Sequence, residues 1–318
     1  MNYFRFIQCV CLIPVLAVAA PPDDGGQVAV TAQKEAVEVS RAGVPALRYL
    51  LEKPADSACT SPSACYFHPL TTPSGLTVTD VAPDDHLHHR GVFLAWLEVR
   101  NDAGEGDFWG WGKHAALENR RLVHRSVEDV ESTSDRAAFS AVNSWRAGEL
   151  TLLEETLRSV TVFREDMRIH DMHYLFAAGT ETVLGQHAFS GFSVRLRKDF
   201  PIVIHDPSGK IDLPQPSHLK PESNWPDRPW YAFEMTLPSG EKAGVAVLNH
   251  PDNPTTTWHN VARIGLINPC IVAPSAVTIP GGDALSLRYR VVTFDGPVPT
   301  ATLDELAGDM KSGAASAP

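Results

Sequence analysis

The stretch Pro83-Asp84-Asp85-His86-Leu87-His88-His89-Arg90-Gly91 packs three of the chain's thirteen histidines, two carboxylates and a guanidinium into nine residues. Imidazole has the unperturbed pKa closest to neutrality, so it serves as acid, base or metal ligand with little tuning. The apolar run Val92-Phe93-Leu94-Ala95-Trp96-Leu97 follows at once and reads as a buried strand. It would hold those groups at the mouth of a rigid element. Pro-Asp-Asp is also ordinary turn chemistry, and a lone histidine is usually a surface or capping residue. It is the density of the cluster that favours a site. In an extended stretch His86 and His88 would point to one side and His89 to the other, so at most two of the three would share a site directly. His88, His89 and Asp85 are the catalytic candidates here, and His86 and Arg90 the substrate-binding ones. No motif requires a cofactor. His-x-His-His supplies two or three ligands that a divalent metal would accept, without saying which metal, if any.

Two further segments could add groups to the same site. Asn101 to His114 sets Asp107, Trp109 and Trp111 among glycines, which let backbone and ligand approach closely. Asp107 is a second carboxylate candidate. Tryptophan faces stack on sugar rings, although large aromatics are about as often buried at the end of a β-sandwich. His250, Asp252, Asn253, Trp258 and His259 form a polar and aromatic loop where function tends to sit. His187 precedes another strand and is a further acid–base candidate. The expectation is that His88, His89, Arg90, His250 and His259 face one pocket floored by Trp109 or Trp258.

The elements that must position these groups read as β. Leu122–Val130, Ala137–Arg146, Leu150–Phe163 and Met167–Phe176 alternate with period two and are joined by short turns, the pattern of antiparallel hairpins. Phe192–Leu196, Trp230–Leu237, Ala243–Asn249 and Leu285–Phe294 are further strands. Ile204 to Pro229, dense in Pro, Ser and Asp, reads as a loop covering one face. Leu303–Met310 reads as a short helix, with a disordered Ser/Ala/Gly tail to residue 318. The fold class is all-β, a single large antiparallel sandwich over residues 25–300, of the mutarotase-like kind, with little helix. The chain shows no internal repeat, nucleotide-binding glycine loop, nucleophile elbow or CxxC.

Residues 1–19 read as a signal peptide: Cys9 to Ala20 is an apolar run of h-region length, and Ala17-Val18-Ala19 fits a cleavage site. The run is too short to span a bilayer. A secreted or periplasmic location follows as an expectation. Cys59 and Cys65 flank a turn-prone segment and are expected to close a disulfide loop, leaving Cys270 free. The formal charge of −11 argues against nucleic acid and anionic membranes as partners, because both select basic patches.

Several words then occur together in order: Pro83 to Gly91, Gly106-Asp107-Phe108-Trp109, Gly244 to Pro254, Trp258-His259, Asn268-Pro269 and Leu287-Arg288-Tyr289-Arg290. This series resembles the DUF6807 family, often labelled "methane oxygenase PmoA", from about Ala46 to Gly296. The label names a membrane enzyme with long apolar helices, which this sequence lacks, so methane oxidation is rejected. The resemblance implies a secreted or periplasmic β-sandwich protein, commonly from bacteria rich in carbohydrate-degrading enzymes. In that family a Lys-Glu pair stands just before the glycine at the Gly191 position. Here that place reads His187-Ala188-Phe189-Ser190, so if the pair is catalytic in relatives, this member uses other groups or has lost the activity.

Two functions remain. One is a carbohydrate-active enzyme cleaving a glycosidic bond. Hydrolysis by two carboxylates, a glycoside hydrolase, would use Asp85 and Asp107 and is the preferred expectation because hydrolases are the commoner exported class. A histidine-centred site suits lyase or epimerase proton transfer at least as well. The other is a non-catalytic carbohydrate-binding protein with Trp109, Trp111 and Trp258 as platforms. Convergence of the histidine loops on one deep pocket separates them.

Overall fold

The computed structural model describes residues 26–312. Residues 1–19, where a signal peptide is expected, and the tail beyond 312 lie outside the described residues. Two antiparallel sheets face each other. One has seven strands, in the spatial order Val28–Ala32, Ala36–Arg41, Val44–Leu50, Tyr66–Leu70, Val92–Ala95, Gly191–Arg195 and Leu266–Ile267. The other has nine, running from the hairpin Gly209–Ile211/Ile202–Asp206 through Trp230–Thr236, Lys242–Asn249 and Ala284–Asp295 to the long meander that closes it. That meander is Met167–Ala177, Leu150–Phe163, Arg136–Ala147 and Arg120–Ser132, within a few residues of the strands expected from alternation.

The inner faces of the sheets share one core. Tyr49 of the smaller sheet meets Phe139 of the larger at 5.7 Å between ring centroids, and Phe192 stacks on Tyr289 at 4.2 Å. Such fully enclosed aromatics each stabilise the fold by roughly 1.5–3 kcal/mol through burial alone. The larger sheet is covered on its outer face too. Trp230, Ala232, Ala246, Leu248, Val292 and Phe294 pack against Leu303, Leu306 and Met310 of the helix Thr300–Ser312. Trp230 Nε1 donates to Asp304 Oδ1 at 2.8 Å, which fixes the helix on the sheet. The strands beneath it are therefore apolar on both sides, where period two would leave one side polar. No helix among the described residues is long and apolar enough to cross a membrane.

Three expectations change. Cys59 and Cys65 are separate buried thiols; the Cys65 Sγ lies 3.3 Å from Asn143 Oδ1 inside the core, so its side chain faces inward instead of across the loop. The segment expected as loop from Ile204 to Pro229 opens with the hairpin Ile202–Asp206/Gly209–Ile211, closed by Asp206, which accepts from Ser208 N at 2.8 Å. The histidine stretch is not extended. His86 N donates to Pro83 O and His89 N to His86 O, so two successive turns fold it back on itself.

Candidate functional site

Those turns bring all three imidazoles together. His86 and His89 stack with centroids 4.6 Å apart, and His88 meets His89 edge-on at 4.7 Å. Gly91 ends the stretch at φ 58°, where a Cβ would stand 2.0 Å from Phe67 O; only glycine lets the turn sit this close to the neighbouring strand. The three histidines line one wall of a cavity of about 350 Å³. Trp111 and Phe189 line it too, with ring centroids 5.5 Å apart, and Trp109 lies under them, wholly buried. The far wall is His259, in ring contact with Phe189 at 5.3 Å. Trp109 touches His89 at 5.5 Å and Phe189 at 5.4 Å, so an aromatic floor runs from the histidine turn to His259.

Arg90 does not reach the cavity. Its side chain is enclosed beneath the wall, where it donates to the carbonyls of His88 (3.3 Å), Trp109 (3.1 Å) and Phe108 (3.1 Å) and lies over the Phe93 ring. It ties the histidine turn to the tryptophan loop, a backbone clamp where substrate binding was expected. Asp107 is likewise turned inward: its two oxygens accept from Gly110 N at 2.8 Å and Gly112 N at 2.6 Å. Burial raises its pKa, and those donors pull it back only in part. Gly110 is itself required at φ 107°, because a Cβ there would press on His88 Cβ at 3.1 Å. Asp107 shapes the loop and does not face the cavity.

Asp85 also stands behind the wall. Its Oδ1 meets Arg195 Nη2 at 2.7 Å and Lys198 Nζ at 3.0 Å, and its Oδ2 lies 3.3 Å from His86 Nδ1. Burial would raise this carboxyl, yet Lys198, Arg195 and His86 together hold it below its usual range. Arg195, which carries no motif in the sequence, is fully buried and reaches His89 Nδ1 at 3.5 Å through Nη1. A guanidinium can only donate, so that nitrogen of His89 accepts and its Nε2 carries the proton. Burial, His88 and Arg195 push the His89 pKa well down; His88 is lowered to about 3 by burial, His86 and Arg90. Burial lowers His86 as well, against the pull of Asp85, so all three imidazoles are shifted toward the neutral form.

His259 is the complementary case. Its Nδ1 lies 2.8 Å from Asn224 Oδ1, whose amide is oriented by Nδ2 donating to Ala188 O at 2.6 Å. Nδ1 therefore donates, and Nε2 keeps its lone pair. Burial and the nearby His218 lower its pKa to about 4. The loop before Asn224 supplies Gln215, Pro216 and His218 to the cavity, and Arg263 and Lys113 complete its polar lining. Composition marked that loop only as a cover; nothing in its sequence announced His218 or Gln215.

The remaining candidates lie elsewhere. His250 borders a separate cavity of about 210 Å³ beside the helix, with Asn249, Asn253 and Lys311. Asn253 pairs with Arg288 as a strand would: its Nδ2 donates to Arg288 O at 2.8 Å and its Oδ1 accepts from Arg288 N at 2.9 Å. Asp252 is largely exposed and 3.7 Å from His250 Nδ1. Trp258 is core, packed on Tyr231 at 5.0 Å and bridged to Trp225. His187 lies beyond Trp111, 3.2 Å from Glu98 Oε2 and in ring contact with His114 at 4.3 Å. The expected five-residue pocket thus keeps His88, His89 and His259, loses His250 and Arg90, and is floored by Trp109 and not Trp258. Among the described residues, no group of three or more His, Cys, Asp or Glu side chains is placed to hold a metal ion.

The model of the family described as "Family of unknown function (DUF6807)" matches residues 36–308. No curated protein matches the chain. Among solved structures it is similar to the GH36 alpha-galactosidase AgaA from Geobacillus stearothermophilus (11% identity, TM-score 0.38, 85% of this chain and 41% of that one). It is also similar to the alpha-galactosidase from Lactobacillus brevis (10%, TM-score 0.43, 88% and 41%) and to a galactose mutarotase related enzyme from Lactobacillus acidophilus (8%, TM-score 0.37, 85% and 98%). The chain spans about two fifths of the length of the two galactosidases.

Proposed function

The chain belongs to the DUF6807 family, and from that premise we propose that it is an exported carbohydrate-active enzyme in which neutral imidazoles move protons at a bound sugar. One observation carries this reading: His89 and His259 close the two ends of an aromatic floor with opposite hydrogen-bonding roles, Nε2–H on the first and a bare Nε2 on the second. Trp111 and Phe189, inclined at 58° to each other, offer apolar ring faces against which a sugar can stack. His259 is the base. His89, held in its tautomer by Arg195, is a neutral donor that polarises an oxygen of the substrate, with His88 beside it.

Hydrolysis by two carboxylates finds less support. Among the described residues no Asp or Glu lines the cavity, and Asp85 and Asp107 are committed to Arg195, Lys198 and backbone N–H groups. Proton transfer at carbon, as in a lyase or an epimerase, starts with a base that takes the proton and a donor that stabilises the charge. It ends when the protonated His259 or the neighbouring His88 or His89 returns a proton, to the departing glycosidic oxygen in a lyase or to carbon in an epimerase. Pure binding would leave the tautomers without consequence. The purified protein should be screened against glycosides and oligosaccharides, with His259→Ala and His88→Ala in parallel. Loss of turnover on the order of 10²-fold or more with an unchanged melting temperature is expected for His259→Ala. Sugar binding with no turnover on any substrate would favour the binding protein.

A further inference from the structure

Among the described residues that line the histidine cavity, the two with permanent charge are Lys113 and Arg263, and both are cationic. The chain as a whole leans the other way, with 38 acidic residues against 27 basic ones. The permanent charge at the cavity therefore opposes the net charge of the chain as a whole. Nor are these cations spent on the protein: among the described residues neither has a carboxylate partner in an ion pair. Arg263 Nε donates to Gln215 Oε1 at 2.8 Å, and both residues belong to the wall. That single bond orients the guanidinium while its two terminal nitrogens stay available for a forked contact. The Lys113 ammonium sits 4.6 Å over the Trp111 ring, held against the aromatic side of the same cavity.

We propose that the sugar bound here is acidic, a uronic acid residue whose carboxylate is taken by Arg263 and Lys113. The proposal rests on the carbohydrate reading above and narrows it. A planar carboxylate matches the guanidinium fork with two parallel N–H···O contacts. It also suits the rest of the site. A carboxylate neutralised by cations acidifies the C–H beside it, which gives the bare Nε2 of His259 a proton that a neutral base can take. A sulfate ester would satisfy the cations without offering that proton, so the carboxylate is the better match.

The test is binding of short uronic acid oligosaccharides, their neutral counterparts and sulfated analogues, read by tryptophan fluorescence and calorimetry at low and high salt. It uses the full-length protein freed of its amino-terminal signal, together with Arg263→Gln and Lys113→Gln. Both substitutions are at exposed positions, and unchanged melting temperatures will show that the fold survives. The uronic acid ligand is expected to bind about tenfold or more tightly than its neutral counterpart, to weaken with salt, and to lose that advantage in Arg263→Gln. Equal binding of acidic and neutral sugars, or an unaffected Arg263→Gln, would overturn the acidic substrate while leaving the carbohydrate reading intact. Preference for the sulfated analogue would overturn the carboxylate. Binding of none of the three would remove the carbohydrate reading itself.

Discussion

Asn224 Oδ1 stands 2.8 Å from Nδ1 of His259, and through that contact a residue outside the cavity lining fixes which nitrogen of the imidazole can act as base. The amide is locked by its own donation to Ala188 O at 2.6 Å and by Thr257 Oγ1 at 3.2 Å. Burial, with a smaller part from His218, keeps His259 neutral down to a pH of about 4. Asn224→Asp places an anion against Nδ1 and stabilises the imidazolium. The acidic limb of the kcat/KM profile should then move to higher pH by about one unit or more. A limb that stays in place would show that His259 is not the group titrating there.

Arg90 bridges two loops through three carbonyls. A lysine has the charge but not the fork, and cannot reach all three. Arg90→Lys is expected to destabilise the protein by about 2 kcal/mol, the scale of a lost hydrogen bond to a charged group. It should also weaken sugar binding, because the Trp109 loop loses its tie to the histidine turn. Denaturant titration checks the first part. A stability within about 0.5 kcal/mol of the parent would rule out the clamp.

Glu155 is enclosed between the sheets, where Asn143 Nδ2 and Trp145 Nε1 each donate to it at 2.8 Å. Burial raises its carboxyl from 4.5 to about 7, against the pull of those two donors. A folded value above the unfolded one means that the folded state binds the extra proton. The resulting stability is fully present below about 4.5 and is lost as pH rises through about 7. His88 and His170 at about 3 and His259 at about 4 act with the opposite sign. Neutral when folded, they withdraw stability as pH falls below 6.5 towards those values. Glu155→Gln should therefore compare more favourably with the parent at about pH 8 than at about pH 5 in thermal melts. A difference constant across that range would mean that Glu155 does not titrate within it.

Cys59, Cys65 and Cys270 are buried free thiols. Burial raises the Cys65 thiol well above its usual range and Cys270 to about 12, which removes the reactive thiolate. A protein begun after residue 19, the end of the expected signal peptide, should yield three thiols to a thiol reagent in denaturant without reductant, and react slowly when folded. Recovery of a single thiol would show that two of the three are paired and would overturn the assignment of three free thiols.

Period-two alternation from Leu122 to Phe176 was enough to read four antiparallel strands, because a half-buried sheet face writes itself into every second residue. The density of imidazoles at His86, His88 and His89 marked the site for a similar reason: their chemistry is a property of residue type. What each polar group does was not legible, because its partner comes from far along the chain. Arg195 meets Asp85 across 110 residues, and Asn224 meets His259 across 35. Asp107 and Arg90 looked like chemistry and are loop clamps; Arg263 carried no signal and Gln215 stood in a segment read as a covering loop, yet both line the cavity. His250 and His259 stand nine positions apart in what reads as one loop, yet only His259 returns to the histidine turn. His250 N is held to Arg288 O beside the helix, whereas His259 N is held to Asn268 O. Residue type and period determined the sheets and the kind of chemistry present. Only tertiary packing decided which of these groups share a cavity, because burial and hydrogen-bond partners, not sequence proximity, set where a side chain points and which proton it carries.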